Sequence, residues 1–262
     1  MGNVILKEDR SKLANGVYTA SSGNAGIGLA WMAKKLGLVA RVYTPESGPQ
    51  GKLDTMSSLG ASVEVLSDND WWQVIVNSSQ PSDKGFYVDA VRSPAALAGN
   101  ATMGLEILEQ LPDVNTIIVP FGGGGVACGI ASALQALKPE SKMVVAESDT
   151  AAPVTAALAA GQPTRVETKP SFISGAGAPV VLEEMWPLVN ELVDDTIVVP
   201  AAEVAGAIGL LFDKNHVVAE GAGALPLAAA LAGNLKGKIV CVVTGGNIDR
   251  AVLSKILAGE PV

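Results

Sequence analysis

The sequence predicts an α/β protein with two open, parallel-type sheets carrying helices on both faces. Three observations lead there. Short β-branched runs alternate with Ala- and Leu-rich stretches of helical length. Glycine or proline punctuates most of the junctions between them. Small residues dominate and aromatics are few, 48% hydrophobic against 4% aromatic with 29 Gly, which suits helices lying close on a sheet.

Taken in order, residues 17–20 form a short β-like run that meets Ser21-Ser22-Gly23-Asn24. A helical pattern follows over 25–36 and stops at Gly37. Residues 39–43 read as a strand ending at Pro45, 49–59 as a helix closed by Gly60, and 62–66 as a third strand. That alternation means βαβ units. A helix over 71–83 and a strand over 86–88 come next, and residues 92–94 are a crossing point between lobes. The expected division is therefore 1–16 as a remnant of a larger domain, 17–93 as a small βαβ domain, and 94–262 as a large domain.

In the large domain, 95–110 carries a Leu/Ile helical stripe, and 116–119 is a buried strand running into Pro120-Phe121-Gly122-Gly123-Gly124-Gly125. A helix over 126–137 and a strand over 143–146 follow. Residues 162–179, rich in Pro, Ser, Thr and Gly, read as a long irregular connection. A strand over 196–199, helices over 202–212 and 222–231, and a strand over 239–243 complete the pattern. The last strand ends at Thr244-Gly245-Gly246-Asn247.

Composition narrows the function. Mean hydropathy of +0.35 excludes low-hydrophobicity disorder. A formal charge of −8 argues against nucleic acid or an anionic membrane as partner. Cys128 and Cys241 stand far apart in apolar contexts and read as buried thiols of a reducing compartment. His216 is the sole histidine, which disfavours zinc. With neither a signal-peptide pattern nor a membrane span, a soluble cytoplasmic protein is expected.

An acidic protein that binds an anion needs local help from backbone N–H groups, and the glycines supply candidates. Four glycines between a strand and a helix can turn their N–H groups into a nest, backed by the helix N-terminus. The same pattern also suits a tight turn. It is not a Walker loop, for no Gly-Lys-Ser/Thr follows, and it fits the dinucleotide fingerprint only loosely. Ser21-Ser22-Gly23-Asn24 could position a ligand or merely cap a helix, and Thr244-Gly245-Gly246-Asn247 could bind or turn. Three such loops at the C-terminal ends of parallel strands should converge on one crevice.

The segments TASSGNAGIGLA, VPFGGGGVACGI, AEGAGA and TGGNID, in this order, resemble fold-type II pyridoxal-phosphate enzymes. These share the fold of the tryptophan synthase β-subunit. The likeness is greatest to serine/threonine dehydratases and serine racemase, and it runs from about Val17 to Asp249. It implies that Gly122, Gly123, Gly124, Gly125 and the amide of Val126 bind the cofactor phosphate. Asn24 would meet the ring 3-hydroxyl, Thr244 the ring nitrogen, and Glu220 would lie near the ring. Ser21, Ser22 and Gly23 would bind the substrate, the Ser22–Asn24 loop cradling its carboxylate, with Ser22 as an acid/base in racemase-like members.

The pattern also has departures. The family's lysine, which holds the cofactor covalently, belongs to a Ser-x-Lys-x-Arg-Gly type motif upstream of the Ser-Gly-Asn loop. Lys7 and Lys12 are the upstream lysines here, and neither context matches. They read as surface residues, so an N-terminally truncated member is expected, its cofactor held without a covalent link or not at all. Ala25 stands where the family often has His, and Ser174-Gly175-Ala176-Gly177 replaces an Asp-Gly motif. Glu147 matches one ligand of a divalent-cation site found in some members, but Pro153 occupies the other carboxylate position, so no metal is assigned.

Three functions are therefore carried forward. The first is a pyridoxal-phosphate lyase deaminating a small hydroxy-amino acid, impaired as this chain. The second is a non-catalytic member binding a phosphate-bearing ligand. The third is a hydrolase using Ser21 or Ser22. Self-association into a homo-oligomer is expected with each, to cover apolar surface.

Overall fold

A computed structural model describes residues 1–138 and 140–262, and the chain divides into two units, Met1–Gly99 and Asn100–Val262. The first holds a parallel sheet of β1 (Val17–Ala20), β2 (Ala40–Pro45), β3 (Ser62–Leu66) and β4 (Phe86–Tyr87), in the order β3-β2-β1-β4. Its helices are α1 (Gly2–Lys7), α2 (Asn24–Leu36), α3 (Gln50–Ser58) and α4 (Asp68–Asn77). The chain steps outward from β1 to β3 and then returns to β4 beyond β1. Right-handed crossovers place α2 and α3 on one face and α4 on the other. α2 packs on α3, while α4 lies on β1 and β2.

Leu29, Ala30 and Ala33 of α2 meet Val17, Val42, Met56 and Val88 in this unit's core. Side chains as large as Leu29 and Met56 each stabilise the fold by about 1.5–3 kcal/mol when fully buried. Residues 1–16, expected as part of a larger domain, send Val4, Ile5 and Leu13 into this first core. The dividing line falls inside α5 (Pro94–Gln110) rather than at 93/94.

Helix boundaries follow local chemistry. Gly37 closes α2 in the left-handed region at φ 67°, donating to the carbonyls of Ala33 and Lys34. The fourth helix is displaced from the expected 71–83. The Ser67 hydroxyl accepts from Asp70 N–H and starts it at Asp68, and Ser78 at φ 50° ends it. The Arg92 guanidinium then binds the carbonyls of Ile75 and Val76, a cation at a helix C-terminus.

The second unit holds β5 (Thr116–Pro120), β6 (Lys142–Ser148), β7 (Asp195–Val199) and β8 (Ile239–Cys241), parallel in the order β7-β6-β5-β8. All five residues of β5 are buried, as a central strand covered on both faces requires. Its helices after α5 are α6 (Gly125–Leu137), α7 (Pro153–Ala160), α8 (Trp186–Leu192), α9 (Ala201–Asn215), α10 (Gly221–Ala232) and α11 (Arg250–Ala258). The alanines and glycines of α10 let it lie against all four strands. The connection 162–179 is irregular apart from a 3₁₀ turn at Ser174–Ala176. Among the described residues, no helix is long and apolar enough to cross a membrane.

Candidate active site

In the second unit the glycine run lies between a buried strand and a helix N-terminus. Gly124 is the N-cap of α6, at φ 95°, with no side-chain cap. The N-cap residue thus offers no side-chain acceptor to the first N–H groups of α6, a setting that suits an anion at a helix N-terminus. A Cβ on Gly124 would lie 3.0 Å from the buried Phe121 ring, and one on Gly122 would lie 2.7 Å from the Gly175 carbonyl oxygen. Any side chain here would fill the cradle or push its walls apart.

The other family segments of this unit interlock with that cradle through backbone contacts. A Cβ on Gly175 would meet the Ala222 methyl at 2.9 Å, and one on Gly221 would meet Ile173 Cα at 2.9 Å. Glu220 N–H donates to the Gly245 carbonyl at 3.0 Å, and a Cβ on Gly223 would stand 2.5 Å from that same oxygen. β5 and β8 are parallel neighbours, so the glycine run and Thr244–Asn247 leave the sheet at one end. The structure therefore brings together Gly122–Gly125, the Ser174–Ala176 turn, the start of α10 with buried Glu220, and the loop bearing half-buried Thr244.

In the first unit, Ser21 follows β1 and Asn24 opens α2, whose N-cap is Gly23. The buried Ser21 hydroxyl accepts from the N–H groups of Gly23 and Gly26, both at 3.1 Å. It serves the loop's own backbone, holding the turn and capping the helix. Ser22, Gly23 and Asn24 are half-buried.

The remaining candidates have local roles. Glu147, next to last in β6, is 1% exposed, and its carboxylate accepts from Val154 N–H, Thr155 N–H and the Thr155 hydroxyl, capping α7. Burial pushes its pKa up, and those hydrogen bonds only partly oppose the rise. Burial also raises the Cys128 and Cys241 thiols to about 11, leaving both free cysteines poor nucleophiles. Exposed His216 closes α9 at φ 55°. Lys7 and Lys12 are exposed, Lys12 pairing with Glu8 at 2.8 Å.

Sequence reasoning missed Lys52, which is 5% exposed. The available signal was its spacing: Lys52 and Met56, one turn apart, share the buried face of α3.

Parallel sheets, a glycine cradle at a helix N-terminus and glycine-locked neighbouring loops define the class of the chain as an α/β scaffold of two parallel sheets. Comparison with known proteins gives the family: residues 1–245 match the pyridoxal-phosphate dependent enzyme family, and the chain belongs to it. Pyridoxal phosphate is that family's cofactor. The L-threonine ammonia-lyase of Geobacter sulfurreducens is 35% identical over 260 residues, covering 97% of this chain. The chain spans 64% of that relative's length. The structure of maize serine racemase superposes with a TM-score of 0.86 at 31% identity, covering 98% of this chain and 81% of that one. Threonine deaminase isoform 2 of Solanum lycopersicum, in its processed form, gives 0.86 at 29% identity, over 98% and 77%.

Proposed function

We propose that this chain is a pyridoxal-phosphate scaffold for ammonia-lyase chemistry on a small hydroxy-amino acid such as serine or threonine, and that these 262 residues alone perform that chemistry weakly. The observation that carries the reading is the glycine cradle, where added side-chain atoms would collide with Gly175 or Phe121. The relatives named as threonine ammonia-lyases support the reaction class. When bound, the cofactor supplies an electron sink for negative charge developing at the amino acid's α-carbon.

The chain's own groups divide the work. N–H groups of Gly122 to Val126 would hold the phosphate without a positive side chain. Thr244 would offer a hydroxyl to the ring nitrogen, a partner that does not enforce the protonated ring as a carboxylate would, which suits β-elimination. Buried Glu220 would stand near the ring. In the first unit, the Ser22–Asn24 loop would bind the substrate carboxylate, Asn24 would take the ring hydroxyl, and the Ser22 hydroxyl would hold or move a proton. Weakness follows from the lysines: Lys7 and Lys12 are exposed, and neither lies in a Ser-x-Lys-x-Arg-Gly sequence.

The test is the visible spectrum on titration with pyridoxal phosphate, then borohydride reduction, peptide mass mapping and a deamination assay. Binding with no single lysine captured, and slow turnover of serine or threonine, is the expected result. Capture of one lysine with fast turnover would overturn the weak-activity half. No binding at all would overturn the whole reading.

A further inference from the structure

We infer that the first unit carries a small-molecule site of its own, a polar cavity whose lining takes a free α-amino acid by its carboxylate and its ammonium group together. The cavity has a volume of about 470 Å³, and Arg41, Tyr43, Glu64, Asp83 and Lys84 are among its lining residues. That volume falls in the range of pockets that hold small ligands.

Its place in the sheet sets it apart from the Ser21–Asn24 loop. Asn15, also in the lining, precedes β1, Arg41 is the second residue of β2, and Asp83 and Lys84 precede β4. The strands are parallel, so these residues gather at the amino-terminal end of the sheet. Tyr43 and Glu64, paired across β2 and β3, continue the lining along one face. Ser21–Asn24 follow the carboxyl-terminal end of β1, where ligands of open α/β sheets ordinarily bind.

Arg41 is out of keeping with its strand. β2 is an inner strand of a parallel sheet, a setting that calls for apolar side chains. Its neighbours Ala40 and Val42 obey, entering the apolar core. Side chains alternate along a strand, so Arg41 lies on the other face with Tyr43. There its Nε and Nη2 donate to the two carboxylate oxygens of Asp83, both at 2.5 Å. The Asp83 side chain is 0% exposed, and the Tyr43 hydroxyl and Gly85 N–H also donate to it, at 3.1 and 2.7 Å. Burial, with the charges of Asp83 and Glu64, pushes the Tyr43 pKa up to about 12, so the hydroxyl keeps its proton and its hold. A well-packed apolar pair would often serve stability as well as such a clamp does.

The clamp leaves charge over. Arg41 Nη2 also donates to the Asn15 carbonyl at 3.1 Å, while Nη1 has no hydrogen-bond partner among the described residues. Lys84 and Glu64, both exposed, make no hydrogen bond or ion pair among those residues either. The lining thus offers two positive groups and one negative. A phosphate or dicarboxylate would meet Glu64 as a like charge, and a polyamine would meet Arg41 and Lys84. A small zwitterion meets neither objection, and the free α-amino acid is the simplest one. The site stands independently of the ammonia-lyase reading.

Calorimetry on the full chain tests it with three probes. L-Alanine has no β-substituent to eliminate, L-alaninamide lacks the carboxylate, and N-acetyl-L-alanine lacks the ammonium. Wild type should bind L-alanine about fivefold more tightly than either blocked form, as one ion pair at the strong end of the exposed range provides. Lys84→Met should erase the preference over the amide, and Glu64→Gln the preference over the acetyl form. Both side chains are exposed, so neither change threatens the fold.

Equal affinity for the three probes in wild type, no binding of L-alanine, or preferences unchanged in both variants would overturn the inference. So would L-alanine binding that Ser22→Ala abolishes while Lys84→Met and Glu64→Gln leave it intact, since the amino acid would then sit at the candidate active site. The pattern is read without pyridoxal phosphate, so a chain that fails to bind the cofactor can still show it.

Discussion

At Gly124, backbone conformation and space make the same demand. Its φ of 95° disfavours any L side chain, and the Phe121 ring would lie 3.0 Å from an added Cβ. Gly124→Ala should therefore cost about 1–3 kcal/mol in urea denaturation and weaken pyridoxal phosphate in a titration followed by absorbance. Glu147 gives a prediction with a pH sign. Burial raises its folded-state pKa, so the folded protein binds more protons than the unfolded chain between the two values. Its contribution is most favourable at low pH and falls as pH rises from the ordinary carboxylate range through the raised value. Glu147→Gln removes that component, so the wild-type stability advantage over it, measured by urea denaturation at successive pH values, should narrow as pH rises. Glu147 was legible in the sequence only as a possible cation ligand. Its actual partners are Val154 and Thr155, whose N–H groups become acceptable donors once a helix starts at Pro153.

The start of α2 shows how a single hydroxyl can organise an element. Ser21 accepts two N–H groups that the helix cannot satisfy internally. Ser21→Ala should lower stability by about 0.5–2 kcal/mol, read from the thermal or urea transition. The same change should weaken serine binding more than pyridoxal phosphate binding, because the Ser22–Asn24 turn loses its brace. The strands and the helices that alternate with them were legible because their residue types and terminators agree, as at β1 and at α2 with Gly37. Helices α1, α7, α8 and α11 were not. α7 is almost wholly small and apolar, so it has no contrast between faces to read, and its cap comes from Glu147 on the preceding strand. α11 is short and buries no residue fully; its cap, the Asp249 carboxylate accepting from Ala251 N–H, falls just past a loop already read as a turn. The bounds of α4 differ from the expected 71–83 because Ser67 caps it at Asp68 and Ser78 ends it.

For the whole molecule, large apolar side chains remain at the surface. Leu6, Trp31 and Val39 are more than half exposed in the first unit, as are Leu137 and Leu231 in the second. Surface of this kind favours association, and light scattering should give a mass above the 26.6 kDa of one chain. A strictly monomeric, well-folded protein would count against it. The order of family segments was legible because glycine loops are written locally. Their interlocking in the second unit was not, since Gly122 meets Gly175 and Gly223 meets Gly245 only after folding. That interlocking separates holding from choosing. Because main-chain atoms make the cradle, mutations that trim side chains leave it standing, and damage comes from substitutions that add a carbon. An alanine scan of this chain would thus act in two opposite senses, removing atoms at Thr244 or Glu220 and adding them at the glycines. Drift at the side chains would redirect the proposed chemistry while the main-chain cradle kept its shape.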